Sequence, residues 1–197
     1  MATTFAELIQ FIEESGLTYE VHEEHKVIAI GFGCEPTETT YRDADGDPSV
    51  QILVRLVEQG ELVATFAPSA WMLAECEHRQ VVCEAACRIQ AQMKLIRFDL
   101  DNEGHLRPNI EIPLESAPMC AEQIHRAIAG ILLVIRRFDC VIRHAMTTGE
   151  IDFGLVKEDP EPPTEITRIL DLASEAGGLG EIERLLGGSG DSPSIGA

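Results

Sequence analysis

IHRAIAGILLVIRRFDCVI, residues 124–142, decides how this chain is read. Ile124, Ile128, Ile131, Ile135, Phe138 and Ile142 recur at alternating steps of four and three, which puts them on one face of a helix. A pattern sustained over only about three heptads reads as a helix covering a sheet rather than a coiled coil. Leu132 and Leu133 widen the apolar arc beyond that stripe and leave surface for a second copy of the chain or a client helix. Pro118 suits the first turn.

Upstream of this helix the period changes from helical to alternating. Lys94 to Leu100 places Ile96, Phe98 and Leu100 on one face, Asp101-Asn102-Glu103-Gly104 makes a turn, and Leu106 to Leu114 alternates through Ile110, Ile112 and Leu114. This is a hairpin, and Pro108 predicts an edge or bulge position in its second strand. Before it, Ala74 to Gln92 predicts a second helix whose stripe is Val82, Ala85, Ala86 and Ile89. Four more strands precede that helix: Leu17 to Val21, Lys26 to Phe32, Val50 to Val57 and Leu62 to Phe66. Thr4 and Glu7 form a capping-box pattern opening a first helix through Phe5, Leu8, Ile9 and Ile12, which Gly16 ends. The expected fold is α+β, an antiparallel sheet packed by helices in the order α-β-β-β-β-α-β-β-α.

Downstream the composition shifts after Gly149. Glu158-Asp159-Pro160-Glu161-Pro162-Pro163 reads as an extended acidic linker. Ile166, Ile169, Leu170 and then Ile182, Leu185, Leu186 mark two short amphipathic runs split by Gly177-Gly178. The expected organisation is an α+β domain over residues 1–150, a linker over 151–163, and a helical arm with a flexible tail over 164–197.

Lys and Arg number 15 against 34 Asp and Glu, a formal charge of -19. That balance repels polyphosphates and anionic lipid surfaces, so nucleic acid and membranes are poor partners. The start of the chain lacks a basic region followed by a long apolar run, and the longest apolar run, Ile131 to Ile135, is too short to span a bilayer; a soluble cytoplasmic protein is expected. The six cysteines form no CxxC pair and read mostly as small buried hydrophobes.

From Phe5 to Ala145 the chain resembles the YbjN-like proteins, bacterial sensory-transduction or regulatory candidates sharing the fold of type III secretion chaperones. The residues that carry the resemblance are the opening helix Phe5-Ala6-Glu7-Leu8-Ile9-Gln10-Phe11-Ile12, the hairpin Phe98-Asp99-Leu100-Asp101-Asn102-Glu103-Gly104, and the isoleucine-rich last helix. The resemblance implies a one-layer antiparallel sheet packed by helices, frequently dimeric, that binds segments of other proteins and catalyses nothing. The insertion from Cys34 to Pro48 and the C-terminal arm depart from that pattern.

Candidate chemistry is sparse. Asp43-Ala44-Asp45-Gly46-Asp47 resembles the start of a calcium loop, but its twelfth position is Val54 inside a strand, so a solvated acidic loop is expected. Cys76, Cys83 and Cys87, with His78 nearby, fall at intervals of seven and four and could share one helix face; soft ligands so spaced can hold zinc or respond to oxidant. Beside Val82 and Ala86, buried structural thiols are the plainer expectation. His22 and His25 sit among carboxylates at a hairpin tip with no nucleophile in reach of the sequence pattern. Gly31-Phe32-Gly33 lacks the third glycine of a dinucleotide fingerprint, and no cofactor is called for. Trp71, Met72, Leu132 and Leu133 are the candidate protein-binding residues, since Trp and Met serve equally as core and as interface anchors. On the interface reading Trp71→Ala would abolish binding and leave the fold intact. The expected function is a non-enzymatic protein-binding module, chaperone-like or a regulatory adaptor, with a protein client and a homodimeric state; the alternative is a metal- or redox-responsive protein using the helical cysteines.

Overall fold

Alternation governs the sheet. In β2 (Val27–Gly33), Ile28, Ile30 and Phe32 are buried on one side; in β3 (Ser49–Val57), Val50, Ile52 and Val54 do the same, and in β4 (Leu62–Phe66), Val63. The computed structural model describes residues 3–33, 48–114, 117 and 119–157. The remaining elements are α1 (Phe5–Glu14), β1 (Tyr19–His22), β5 (Trp71–Met72), α2 (Arg79–Gln92), β6 (Arg97–Leu100), β7 (His105–Pro113) and α3 (Ala121–Thr148). The predicted α+β order is therefore present, with one short strand added between β4 and α2.

Every pairing among the described residues is antiparallel. The order runs β1-β2-β3-β4-β7, with β5 and β6 also paired to β7. Leu106 pairs with both Trp71 and Leu100, and Asn109 with both Phe66 and Arg97, so β4 and β5 share one edge of β7 and β6 takes the other. Pro108 therefore lies in a strand flanked on both sides, so of the edge or bulge position expected for it the edge is excluded. Its carbonyl accepts from Ala67 N–H at 3.2 Å, but its nitrogen has no proton to return, and β4 breaks off at this point.

The helices cover one face. The Thr4–Glu7 capping box is formed: Thr4 Oγ1 accepts from Glu7 N–H at 3.2 Å, and Glu7 Oε2 accepts from Thr4 N–H at 2.7 Å. The sequence placed the start of α2 near Ala74, but the helix begins at Arg79; residues 74–78 turn, and the His78 ring lies so close to Gly149 that a Cβ there would sit 2.7 Å from His78 Nδ1. Gly149, at φ 73, ends α3 by donating to the Ala145 carbonyl at 3.1 Å. Pro118, the loop from Cys34 to Asp47 with its acidic triplet, and the arm beyond Lys157 lie outside the described residues. Ile151, Phe153 and Val156 pack on the core, and Lys157 N–H donates to the Arg137 carbonyl at 3.2 Å.

Helix α3 packs against β4 and β7, with α1 and α2 beside it. Most of its circumference is apolar and buried, Ile124, Ile128, Ile131, Leu132, Val134, Ile135, Phe138 and Ile142 among them. Sunk in that surface is Asp139, 3% exposed, whose Oδ1 accepts from Trp71 Nε1 at 2.8 Å. Arg143 Nε stands 2.6 Å from Asp139 Oδ2, an ion-pair contact out of line for a hydrogen bond. Trp71 is itself 3% exposed and packs on the Phe98 ring at a centroid distance of 6.0 Å. It belongs to the core, which corrects its candidacy as a surface anchor.

Trp71→Ala should therefore unfold rather than merely disarm the protein, costing about 3–5 kcal/mol; Trp71→Phe, which keeps a ring but leaves Asp139 Oδ1 without its donor, should cost about 1–3 kcal/mol in chemical denaturation. Burial is the largest influence on the Asp139 carboxyl and holds its pKa above the ordinary 3.8, against the pull of Trp71 and Arg143. A carboxyl whose folded pKa is raised keeps its proton longer in the folded state. Its contribution to stability is thus fullest below the unfolded value and falls as pH rises through the window up to the folded one. Asp139→Asn should accordingly gain on the parent as pH climbs through that window and hold a constant difference above it; a difference independent of pH throughout would contradict this account.

Candidate protein-docking groove

The link from α2 to β6 is four residues long and strained. Met93 N–H closes the helix onto the Gln90 carbonyl at 3.2 Å, and Gln90 Oε1 accepts from Phe98 N–H at 3.0 Å, holding the start of β6 against the helix end. To make the turn Leu95 adopts φ 68, left-handed backbone that a residue with a Cβ enters at a cost of about 1–2 kcal/mol. Its side chain is 68% exposed, while Ile96 next to it is buried.

Because β6 pairs only from Arg97 to Leu100, it covers β7 from Leu106 to Asn109 and no further. Residues Ile110 to Pro113 have β4 on one edge and, among the described residues, no strand on the other. Leu114 N–H donates to Glu61 and the Pro108 carbonyl accepts from Ala67, both on the β4 side. Backbone groups alternate between the two edges, so the open edge presents the Glu111 N–H and the carbonyls of Glu111 and Pro113. Pro113 offers no donor there, a restraint on sheet-to-sheet aggregation.

An apolar groove of about 320 Å³ lies alongside this edge, floored by Ile110 and Ile112, walled by Met93, Leu95 and Ile96, and closed by Ala127, Gly130 and Leu133 of α3. Gly130 sets the depth: a Cβ there would stand 3.3 Å from Ile110 Cδ1. The rim is polar, with Gln123, Lys94, Arg126 and Glu111. Glu111 is held by Arg97, Nη2 to Oε1 2.6 Å, whereas Lys94 and Arg126 make no ion pair with any of the described residues. In a chain of net charge -19 the groove rim is locally cationic.

Of the residues singled out by sequence, Leu133 lines this groove. Leu132 is 1% exposed inside the core and is corrected, like Trp71, to a packing residue. Met72 is 49% exposed but sits on β5 opposite His105, away from the groove. Cys76 precedes α2 and does not share a helix with Cys83 and Cys87; its Sγ lies 3.7 Å from the Met146 carbonyl. All five described cysteines are free thiols, with Cys87 and Cys120 exposed and Cys76, Cys83 and Cys140 half-buried, so the expectation of buried thiols fails. Among the described residues no three His, Cys, Asp or Glu side chains are grouped to hold a metal ion. His78 is spent on packing against Gly149. Asp101 Oδ1 accepts from the N–H groups of Glu103 and His105, at 3.0 and 2.9 Å, and these bonds hold its carboxyl below the usual range: a turn device. Burial lowers the pKa of His125, whose Nε2 is 3.4 Å from the Phe11 carbonyl, between α1 and α3. His22 and His25 border an open concavity on the uncovered face of the sheet with Leu53, Arg55 and Phe66. None of these histidines stands in a nucleophile–base arrangement with the groove.

No helix among the described residues is long and apolar enough to cross a membrane. No family model and no curated protein matches the chain. A chain in the structure of the HopA1-SchA chaperone-effector complex aligns at 14% identity and a TM-score of 0.43, covering 67% of this chain and 91% of that one. The crystal structure of YbjN from E. coli aligns at 12% identity and a TM-score of 0.46, covering 71% of this chain and 93% of that one.

The fold requires no apolar side chain at position 95. Leu95→Asn, which tolerates left-handed backbone, should leave stability unchanged or raise it by up to about 1 kcal/mol. Ile96→Asn, one residue on and buried, should cost several times as much in the same denaturation measurement.

Proposed function

We propose that the chain is a non-enzymatic protein-binding module, chaperone-like or a regulatory adaptor, which receives a short segment of a client protein in the groove between β7, α3 and residues 93–96. One observation carries the reading: an apolar groove runs beside a strand edge whose Glu111 N–H and carbonyl have no strand partner among the described residues. An extended segment laid there gains main-chain hydrogen bonds from the edge and buries alternate aliphatic side chains against Ile110, Ile112 and Leu133. Leu95 supports it, being a large apolar side chain held out in solvent by strained backbone at the rim, a cost that has no return within the fold itself.

Local charge selects the client's flanks. The acidity of the whole chain suggests basic flanks, but Lys94 and Arg126 are the charges nearest the groove without a described carboxylate partner, so acidic flanks are the better complement. A small apolar molecule would fill the volume yet leave the edge unpaired. A second copy of this chain is the other occupant of the right chemistry, and a homodimer formed through the groove would satisfy the same edge.

The test is selection of peptides from a random display library on the full chain, followed by affinity measurement on parent, Leu133→Asp and Leu95→Asp. Selected peptides should carry aliphatic residues two apart and nearby Asp or Glu, shift the Glu111 amide resonance, and lose at least about 10-fold in affinity to either variant. Peptides that bind all three proteins equally would place the site elsewhere and defeat the proposal. Concentration-dependent dimerisation abolished by Leu133→Asp would replace the client with a second copy.

A further inference from the structure

The described chain ends at the groove's own helix. Lys157 N–H bonds to the Arg137 carbonyl, and Arg137 stands on the same line of α3 as Leu133, Gly130 and Arg126, since steps of four, three and four residues return to one helical face. From Arg137 back to Leu133 is about 6 Å along the axis, and to Gln123 about 21 Å. Beyond Lys157 forty residues follow. The six from Glu158 to Pro163, if extended, reach about 19 Å, enough to carry the next residues over the groove.

What comes next has the composition that the groove selects. Ile166 and Leu170 are four residues apart, a spacing that shares one face in a helix and in an extended strand alike. Residues 158–197 hold nine Asp and Glu, between Glu158 and Asp191, against Arg168 and Arg184. An acidic segment with paired aliphatic side chains complements an apolar groove rimmed by Lys94 and Arg126.

We infer that the C-terminal arm is the groove's resident occupant: Ile166 and Leu170 seat against Ile110 and Leu133, and a client must displace them. The inference deepens the reading of the groove as a protein-binding site and rests on it. Tethering gives the arm an effective concentration in the millimolar range, so an intrinsic affinity of about 100 μM would close the groove roughly ten times in eleven and weaken a competing client about 10-fold. Weak contacts suffice because the chain itself supplies the proximity.

Methyl NMR on the full chain tests this directly, with Ile and Leu methyl groups labelled in the parent and in the full-length double variant Ile166→Asp, Leu170→Asp. The parent should show cross-relaxation between the Ile166 or Leu170 methyls and those of Ile110 or Leu133. The variant should lose it, shift the Ile110 and Leu133 resonances, and bind the selected peptides about 10-fold more tightly than the parent does. Absence of such contacts, with Ile110 and Leu133 unmoved by the double substitution, overturns the inference. So does cross-relaxation seen only between differently labelled copies, which would put the arm on a neighbouring molecule. If the peptides bind parent and double variant equally, the arm is no competitor while the client reading stands. If the methyl contacts are present but no peptide binds either protein, the client reading falls and the arm remains as structural cover.

Discussion

The bond from Trp71 Nε1 to Asp139 Oδ1 fixes how helix and sheet meet. A carboxylate placed in the core is costly unless its oxygens are engaged, and here one is bonded to the sheet through β5 and the other faces Arg143 one turn along the helix. An apolar helix as broadly buried as α3 could slide or rotate against a sheet of aliphatic side chains at modest cost, because Ile and Leu present similar volumes at several registers. The Asp139 contact removes that freedom. Rotation by one residue, about 100°, would withdraw the carboxylate from Trp71, leaving the indole N–H without its acceptor and Asp139 with Arg143 of its own helix as its remaining contact. With register set at Asp139, Gly130 falls about 13 Å up the axis, opposite Ile110, where a Cβ would stand 3.3 Å from Ile110 Cδ1 and crowd the groove.

The elements that sequence disclosed are those whose pattern is local. The capping box of Thr4 and Glu7, the alternations through Ile28, Ile30 and Phe32 and through Ile110 and Ile112, and the turn at Asp101 to Gly104 each carry their own signal within a few residues. Strand β5 does not, because two residues cannot show alternation, and Trp71-Met72 becomes a strand only by pairing with Leu106 and His105. The start of α2 was misplaced because His78 is turned by contact with Gly149, seventy-one positions away. The cysteines were misread through helical phase. Val82, Ala85, Ala86 and Ile89 point inward, and Cys83 and Cys87 stand one residue, about 100°, round from Val82 and Ala86, which carries them to the flank.

The groove was almost illegible for a related reason. It is assembled from the end of one helix, the overhang of one strand beyond its neighbour, and the middle of another helix, and none of these shows in a window of ten residues. Of its lining, Leu133 alone carried a binding signal, as surplus apolar arc, while Ile96, Ile110 and Ile112 showed only as alternating strand residues. Two residues held a further signal. Gly130 interrupts an otherwise strong helical run, where glycine costs about 1 kcal/mol relative to alanine and so implies close approach by something outside the helix. Lys94-Leu95-Ile96 set an aliphatic pair in what the turn makes a corner, but only the backbone shows that Leu95 faces solvent and Ile96 the core.

Net charge misled in the opposite sense. A chain with 34 acidic and 15 basic residues is described correctly as repelling polyanions at long range, yet contact selectivity is set within a Debye length of the site. At the groove, Glu111 is held by Arg97, which leaves Lys94 and Arg126 to define the local field. The overall acidity then acquires a different meaning. Nine of the 34 acidic residues lie in the segment that follows Lys157, and under the inference drawn above an acidic tail attached beside a cationic groove would be drawn to it by the same field that would attract a client. On the proposed reading, long-range charge keeps unrelated anions away and the short-range exception admits only a segment able to fill the apolar floor as well, so that selectivity at this groove would require both conditions at once.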